Sequence, residues 1–176
     1  MEESAFKEAC TKVKMLLFDC DGVLTDGRIV LGSNGSELKF FSTKDGMGIS
    51  LWRKAGFLCG CITGRSSDAL QKRAQELGFE ELHQGVSDKR AVLEEIMVRR
   101  GLQRQEIAFI GDDLNDLCLL HQVGVFFVPL DGHSEAVWRA DWVLTKNGGE
   151  GAVREAIDLL LNSKNLMEKI ITSMIA

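Results

Sequence analysis

Asp19 and Asp21 stand two residues apart just after an apolar run, Val13 to Phe18, in the stretch Phe18-Asp19-Cys20-Asp21-Gly22-Val23-Leu24-Thr25-Asp26-Gly27. The run reads as a buried strand. Carboxylates at i and i+2 can turn toward one site where the chain leaves pleated geometry, and Gly22 permits that departure. Open α/β sheets place their ligands at such strand ends. There one carboxylate can act as a nucleophile and the other as a general acid/base. A capping Asp followed by a turn Asp is the alternative reading of the same pair.

Four further stretches fall where strands are expected to end. Ile62-Thr63-Gly64-Arg65 offers a hydroxyl and backbone N–H groups before a helix start, which suits a phosphate. Lys89, in Val86-Ser87-Asp88-Lys89, lies at a helix N-terminus, where a cation is mildly disfavoured unless it meets an anion. Gly111-Asp112-Asp113-Leu114-Asn115-Asp116 packs three carboxylates into five residues, which repel unless a cation or solvent relieves them. Oxygen ligands without His or Cys point to a hard ion, and the small number of protein ligands favours Mg²⁺ over Ca²⁺. Ser42-Thr43-Lys44-Asp45-Gly46-Met47-Gly48 reads as a polar loop before a helix-like run at Ile49–Ala55, able to hold the non-phosphate part of a substrate. Each stretch also has an ordinary structural reading: a turn, a solvated lysine, a helix cap, a surface loop. Together they supply the parts needed to attack a phosphoryl group, neutralise it and hold a metal.

The positioning elements follow from pattern. Strands are expected at Met15–Phe18, Phe57–Thr63, Leu82–Gln84, Ile107–Ile110, Val125–Val128 and Trp142–Leu144. Between them Ser67–Leu77 and Asp88–Arg100 carry helical apolar spacing and stop at Gly78 and Gly101. The alternation predicts an α/β fold, a doubly wound parallel sheet in one domain spanning 1–176. Residues about 27–41 break the rhythm. Two strand-like arms flank Asn34-Gly35, a hairpin signal resting on positive φ at both residues. Apolar residues on both arms favour association through this hairpin. Residues about 152–176 form an amphipathic helix, with Ala152, Val153, Ala156, Ile157, Leu160 and Leu161 inward, then a tail apolar enough to dock.

A chain of 176 residues with 45% hydrophobic composition can bury a real core. A net charge of −5 and the lack of a dense basic stretch argue against nucleic acid. No apolar run reaches membrane-spanning length. The five cysteines, Cys10, Cys20, Cys59, Cys61 and Cys118, have no disulfide-framework spacing and are expected to be reduced packing thiols in a cytoplasmic protein. Cys59 and Cys61 are expected on opposite faces of their strand.

The order Asp19-Cys-Asp21-Gly-Val-Leu-Thr-Asp26-Gly, Ile-Thr63-Gly-Arg65, Lys89, Gly-Asp112-Asp113-Leu-Asn-Asp116 resembles the four-motif pattern of haloacid dehalogenase (HAD) superfamily phosphatases, over nearly the whole chain. A hairpin in place of a cap domain resembles their capless branch. Lys44-Asp45-Gly46-x-Gly48 and Gly148-Gly149-Glu150-Gly151-Ala152-Val153-Arg154-Glu155 are similar to segments of the 3-deoxy-D-manno-octulosonate 8-phosphate (KDO 8-phosphate) phosphatase family. The resemblance implies a Rossmann-like fold and a homotetramer with the hairpins at its centre. It implies Asp19 as nucleophile, Asp21 as acid/base, and Thr63 and Lys89 as phosphoryl contacts. Mg²⁺ would be held by Asp19, the Asp21 carbonyl and Asp112, with Asp113 or Asp116 behind them. Ser42, Thr43, Lys44, Asp45, Gly46, Gly64, Arg65 and Arg73 would contact the substrate together with Asp21, Thr63 and Lys89. Ser50 departs from an Arg in some family members, which leaves a nine-carbon sugar acid phosphate open; Arg65 favours the eight-carbon acid. A phosphoacceptor receiver domain has its acidic pair before the phosphoacceptor, the reverse of the order here. A non-catalytic subunit would be expected to lack motif residues.

Overall fold

The computed structural model describes residues 1–175. Its main sheet contains β1 (Met15–Phe18), β4 (Leu58–Ile62), β5 (Glu81–His83), β6 (Ile107–Ile110), β7 (Val125–Val128) and β8 (Trp142–Val143), in the order β5-β4-β1-β6-β7-β8 and all parallel. β1 lies inside, with Phe18 level with Cys61 of β4 and Ile110 of β6. Central parallel strands are covered on both faces, so β1, β6 and β7 are apolar and buried throughout.

Alternate strand residues feed two cores. Leu16, Phe18, Ala108, Ile110, Val125 and Phe127 face α1 (Glu3–Lys12), α2 (Thr43–Lys54) and α6 (Ala152–Ser163). Met15, Leu17, Phe109, Phe126 and Val128 face α4 (Lys89–Arg100), the 3₁₀ turn Leu114–Leu119 and α5 (Ser134–Arg139). Cys59 and Cys61 join the first core together, because residues two apart in a strand share a face. The expectation of opposite faces was an error of period. The cysteines are free, four buried and Cys118 exposed.

α3 (Asp68–Leu77) and α4 end as expected, with Gly78 and Gly101 at φ of 69° and 65°. Two expectations are corrected. Thr43–Gly48 is not a loop but the first half of α2, capped by the Ser42 hydroxyl, which accepts from Lys44 N at 3.2 Å. The glycines disguised the helix; they let α2 lie close to Arg73 and to Arg154. The hairpin, β2 (Val30–Leu31) against β3 (Glu37–Leu38), forms a separate two-stranded sheet. Its turn is not a two-residue Asn-Gly turn: Gly32 and Ser36 close it, only Gly35 has positive φ, and Asn34 accepts from Ser36 N through its side chain. Pattern reading gave no α1 or α5. α7 (Met167–Ile175) is the helical tail; Leu166, Met167 and Ile170 pack on the first core, while Ile171, Met174 and Ile175 are exposed.

Gly148 fixes the loop that carries the first aspartates. It lies on the Gly22–Thr25 backbone, where an added Cβ would stand 1.9 Å from the Gly22 carbonyl oxygen, and Gly149 N donates to Val23 O at 2.9 Å. Backbone cannot yield as a side chain can. Gly148→Ala is therefore expected to destabilise the fold by about 1–3 kcal/mol, read as a lower denaturant midpoint at unchanged slope; an unshifted midpoint would contradict this packing.

Candidate active site

The ladder hydrogen bonds run just past the strands and set the site. Asp19 N donates to Ile110 O at 3.0 Å, Thr63 N to His83 O at 2.9 Å, and Gly111 N to Phe127 O at 3.1 Å. Asp19, Thr63 and Asp112 thus leave the ends of β1, β4 and β6 side by side. The chain then turns sharply, with Val23, Leu24 and Thr25 N all donating to the Cys20 carbonyl. Gly22 takes φ +89°, and a Cβ there would sit 2.0 Å from Asp112 Oδ2. The turn thus needs glycine both for its dihedral and for the space it gives a carboxylate.

A cleft of about 190 Å³ opens at these ends, lined by Asp19, Asp21, Thr63, Gly64, Arg65, Asp112, Asp113 and Asn115. A wider hollow of about 700 Å³, bordered by Lys12, Lys14, Phe57 and Lys164, lies at the opposite end of the strands. Ligands of open parallel sheets belong at the carboxyl ends, and only the smaller cleft gathers the acidic residues. Ser42, Thr43, Lys44, Asp45, Gly46 and Arg73 are not among its walls. Asp45 is buried and accepts from Arg154 N at 2.7 Å, capping α6. Arg73 reaches the Ser42 carbonyl at 3.5 Å and lies over the Phe41 ring.

Beneath the cleft, Lys89 is 4% exposed. Its Nζ lies 2.6 Å from Asp116 Oδ1 and 3.1 Å from Asp19 Oδ1. Burial opposes its charge, but Asp116 and Asp19 outweigh that and raise its pKa. The cost of its place at a helix N-terminus is thus met by two anions. Asp116, fully buried, also accepts through Oδ2 from Asp112 N at 3.0 Å and Asp113 N at 3.4 Å. It therefore braces both the lysine and the loop.

Carboxylate oxygens of Asp19, Asp112 and Asp116 lie within 4.8 Å of one another. Both Asp116 oxygens are already engaged, so the free donors are those of Asp19 and Asp112. Asp112 Oδ1 is buried without a hydrogen-bond partner, and Asp19 Oδ1 accepts no well-directed hydrogen bond despite its ionic neighbour Lys89. Burial first, then the charges of Asp116, Asp19 and Asp113, push the Asp112 carboxyl up to about 8. Unsatisfied hard oxygens at such mutual repulsion fit Mg²⁺.

Two functional-looking residues escaped the sequence reading. Lys39 pairs with Asp21 Oδ1 and lies 3.0 Å from Glu37 Oε1. Glu37 accepts from Arg65 Nη2 at 2.7 Å. The available signal was their spacing, i and i+2 on one hairpin arm, which the apolar Leu38 between them and Phe40 after them masked.

A carboxyl whose folded pKa exceeds its unfolded one binds more protons when folded, so stability falls as pH rises between the two values. For Asp112 that window runs from 3.8 to about 8. In EDTA, Asp112→Asn is expected to gain Tm over the parent as pH rises through the window. Mg²⁺ is expected to raise the Tm of the parent and not of the variant. A Tm difference independent of pH would refute the assignment of repulsion to Asp112.

Comparison with known proteins agrees with this geometry. The haloacid dehalogenase-like hydrolase family matches residues 74–157. The 3-deoxy-D-manno-octulosonate 8-phosphate phosphatase of Yersinia pestis is 37% identical over 161 residues, 92% of this chain and 86% of that protein. A probable YrbI family phosphatase from Pseudomonas syringae superposes with a TM-score of 0.96 at 34% identity, covering 99% of each chain. The 3-deoxy-D-manno-octulosonate 8-phosphate phosphatase of Moraxella catarrhalis, solved with magnesium, phosphate and KDO, gives a TM-score of 0.95 at 34% identity over 98% of this chain and 99% of that one. With its sheet order, its aspartate turn and these relatives in agreement, the chain belongs to the haloacid dehalogenase-like hydrolases and, within them, to the 3-deoxy-D-manno-octulosonate 8-phosphate phosphatase family.

Proposed function

We propose that this chain is a Mg²⁺-dependent phosphatase that hydrolyses 3-deoxy-D-manno-octulosonate 8-phosphate to the free sugar acid and phosphate. The observation that carries the reading is the convergence of Asp19, Asp21, Thr63 and Asp112 on one small cleft, with Lys89 directly behind Asp19.

Asp19 attacks phosphorus, forming an aspartyl-phosphate as the bond to the sugar oxygen breaks. Asp21 gives a proton to that departing oxygen, then takes one from the water that hydrolyses the intermediate. Thr63 and Lys89 hold phosphoryl oxygens, and Asp116 keeps Lys89 aimed. Asp19, the Asp21 carbonyl and Asp112 would hold Mg²⁺, which draws charge from the phosphoryl group and eases approach of an anionic nucleophile. Asp113, the exposed cap of the Leu114–Leu119 turn, supports that loop. Arg65 lines the cleft wall with Nη2 given to Glu37, and its remaining N–H groups suit a substrate carboxylate. The segment Ser42–Gly46 and Arg73 stand outside the cleft, so a contact with the far end of the sugar is all that is left to them.

The hairpin supports association of copies. Ile29, Leu31, Leu38 and Phe40 are 53%, 68%, 53% and 67% exposed. Such a row on a short ribbon is stable when covered. A homotetramer joined through this face is the assembly we infer, and a cytoplasmic location suits the free thiols. Leu31→Asp with Phe40→Asp is expected to lower the mass found by sedimentation. An unchanged mass would remove the hairpin from the interface.

Asp19→Asn is expected to cut turnover by about 10⁴-fold or more while the protein stays folded. Asp21→Asn is expected to slow both half-reactions by about 10²–10⁴-fold. Near-normal Mg²⁺-dependent activity in Asp19→Asn would remove the nucleophile. Phosphate release across eight- and nine-carbon ulosonate phosphates tests the substrate: a sharp preference for the nine-carbon ester, or a flat profile, would overturn the eight-carbon assignment.

A further inference from the structure

The return arm of the hairpin has two unlike sides. Leu38 and Phe40 are exposed, while Glu37 and Lys39, at the alternate positions, turn toward the catalytic loop. Only 2% of the Lys39 side chain is exposed, although it follows a two-stranded ribbon outside the main sheet. A lysine so buried requires partners. Its ammonium meets Asp21 Oδ1 and stands 3.0 Å from Glu37 Oε1. Glu37 Oε2 accepts from Arg65 Nη2 at 2.7 Å, and Arg65 Nε stands 3.6 Å from Asp21 Oδ2. Two cations and two anions close a ring that ties the hairpin to the cleft.

The ring treats the two oxygens of Asp21 differently. Oδ1 is anchored by Lys39. Oδ2 is buried and accepts no hydrogen bond, on a residue that lines the cleft beside Asp19. Oδ1 is therefore held closely, while Oδ2 has only the looser contact with Arg65 Nε at 3.6 Å and no hydrogen bond to commit it. A carboxylate lacking that anchor keeps only the 3.6 Å contact with Arg65 Nε and could rotate about its side-chain bonds.

We propose that Lys39 is a positioning residue for proton transfer to the leaving group, fixing Oδ1 of Asp21 so that Oδ2 faces the departing sugar oxygen, with Glu37 holding Lys39 and Arg65 in register. The inference rests on the reading of Asp21 as acid/base. In the step concerned the Asp19 O–P bond forms, the bond from phosphorus to the sugar oxygen breaks, and the proton on Oδ2 moves to that oxygen. Lys39 keeps its own protons.

The test is leaving-group dependence. The ratio kcat/KM reports steps through formation of the phosphoenzyme. A sugar alkoxide cannot depart without a proton, whereas 4-nitrophenolate can. Lys39→Met is expected to lose about 10- to 100-fold in kcat/KM on the sugar acid phosphate, chiefly in kcat. On 4-nitrophenyl phosphate it is expected to stay within about threefold of the parent. Lys39→Arg, which restores a cation of similar reach, should recover most of the loss. Comparing the two esters on one preparation cancels any loss of folded enzyme, and Lys39→Gln serves if the Met variant does not fold. Equal losses on both esters, or none on either, would overturn the inference. Asp21→Asn is run beside it. If it too shows no difference between the esters, the acid role of Asp21 is what fails; if it shows one and the Lys39 variants do not, only the positioning role fails.

Discussion

Mutual repulsion among Asp19, Asp112 and Asp116 at the ends of two adjacent strands is the constraint around which this structure is arranged. Their oxygens approach within 4.8 Å of one another in a poorly solvated place. Lys89 answers one side, buried between Asp19 and Asp116. Backbone N–H groups of Asp112 and Asp113 answer another, through the second oxygen of Asp116. The side facing the cleft is unanswered by protein, and there Asp112 is hardest to ionise. The protein thus keeps net negative charge where a divalent cation and an electron-poor phosphorus are to meet. That is electrostatic preorganisation, fixed before substrate arrives.

The sheet makes this arrangement affordable in space. Neighbouring parallel strands stand about 4.8 Å apart, so groups leaving β1 and β6 at the same level must meet. The register places Phe18 beside Ile110, and Asp19 and Gly111 follow directly. Gly22 then removes the side chain that would displace Asp112, and Gly148 lies against the same turn from the far side. Three segments remote in sequence are thereby fitted to one turn.

What was legible in the sequence follows from which signals were local. β1, β6 and β7 were readable to the residue because strands buried on both faces are unbroken apolar runs. Asp19, Asp112 and Thr63 were readable in place because they follow strand ends, and Lys89 because it opens a helix, α4, where a cation is out of the ordinary. α2 was half hidden, since Gly46 and Gly48 are poor helix formers and only close packing on Arg73 and Arg154 explains them. α1 was missed because its charged surface shows few apolar positions, Phe6 and Cys10 being the buried ones. The tertiary cap that Asp45 provides was not legible, because the helix it caps, α6, lies more than a hundred residues away. Lys39 and Glu37 were missed for a similar reason: their partners, Asp21 and Arg65, belong to other elements.

A strand's period of two joins the hairpin's two sides mechanically. The apolar residues on its outer side and the charges on its inner side alternate along one backbone, so neither set can shift without the other. A hairpin of two-residue strands has little rigidity of its own. Covering Leu38 and Phe40 would supply it, and the same covering would hold Lys39 against Asp21. On the assembly and the positioning role proposed above, the arm that would bring copies together and the arm that would orient the proton donor are the same four residues, 37–40, and order at the leaving-group end of the cleft would then follow from association.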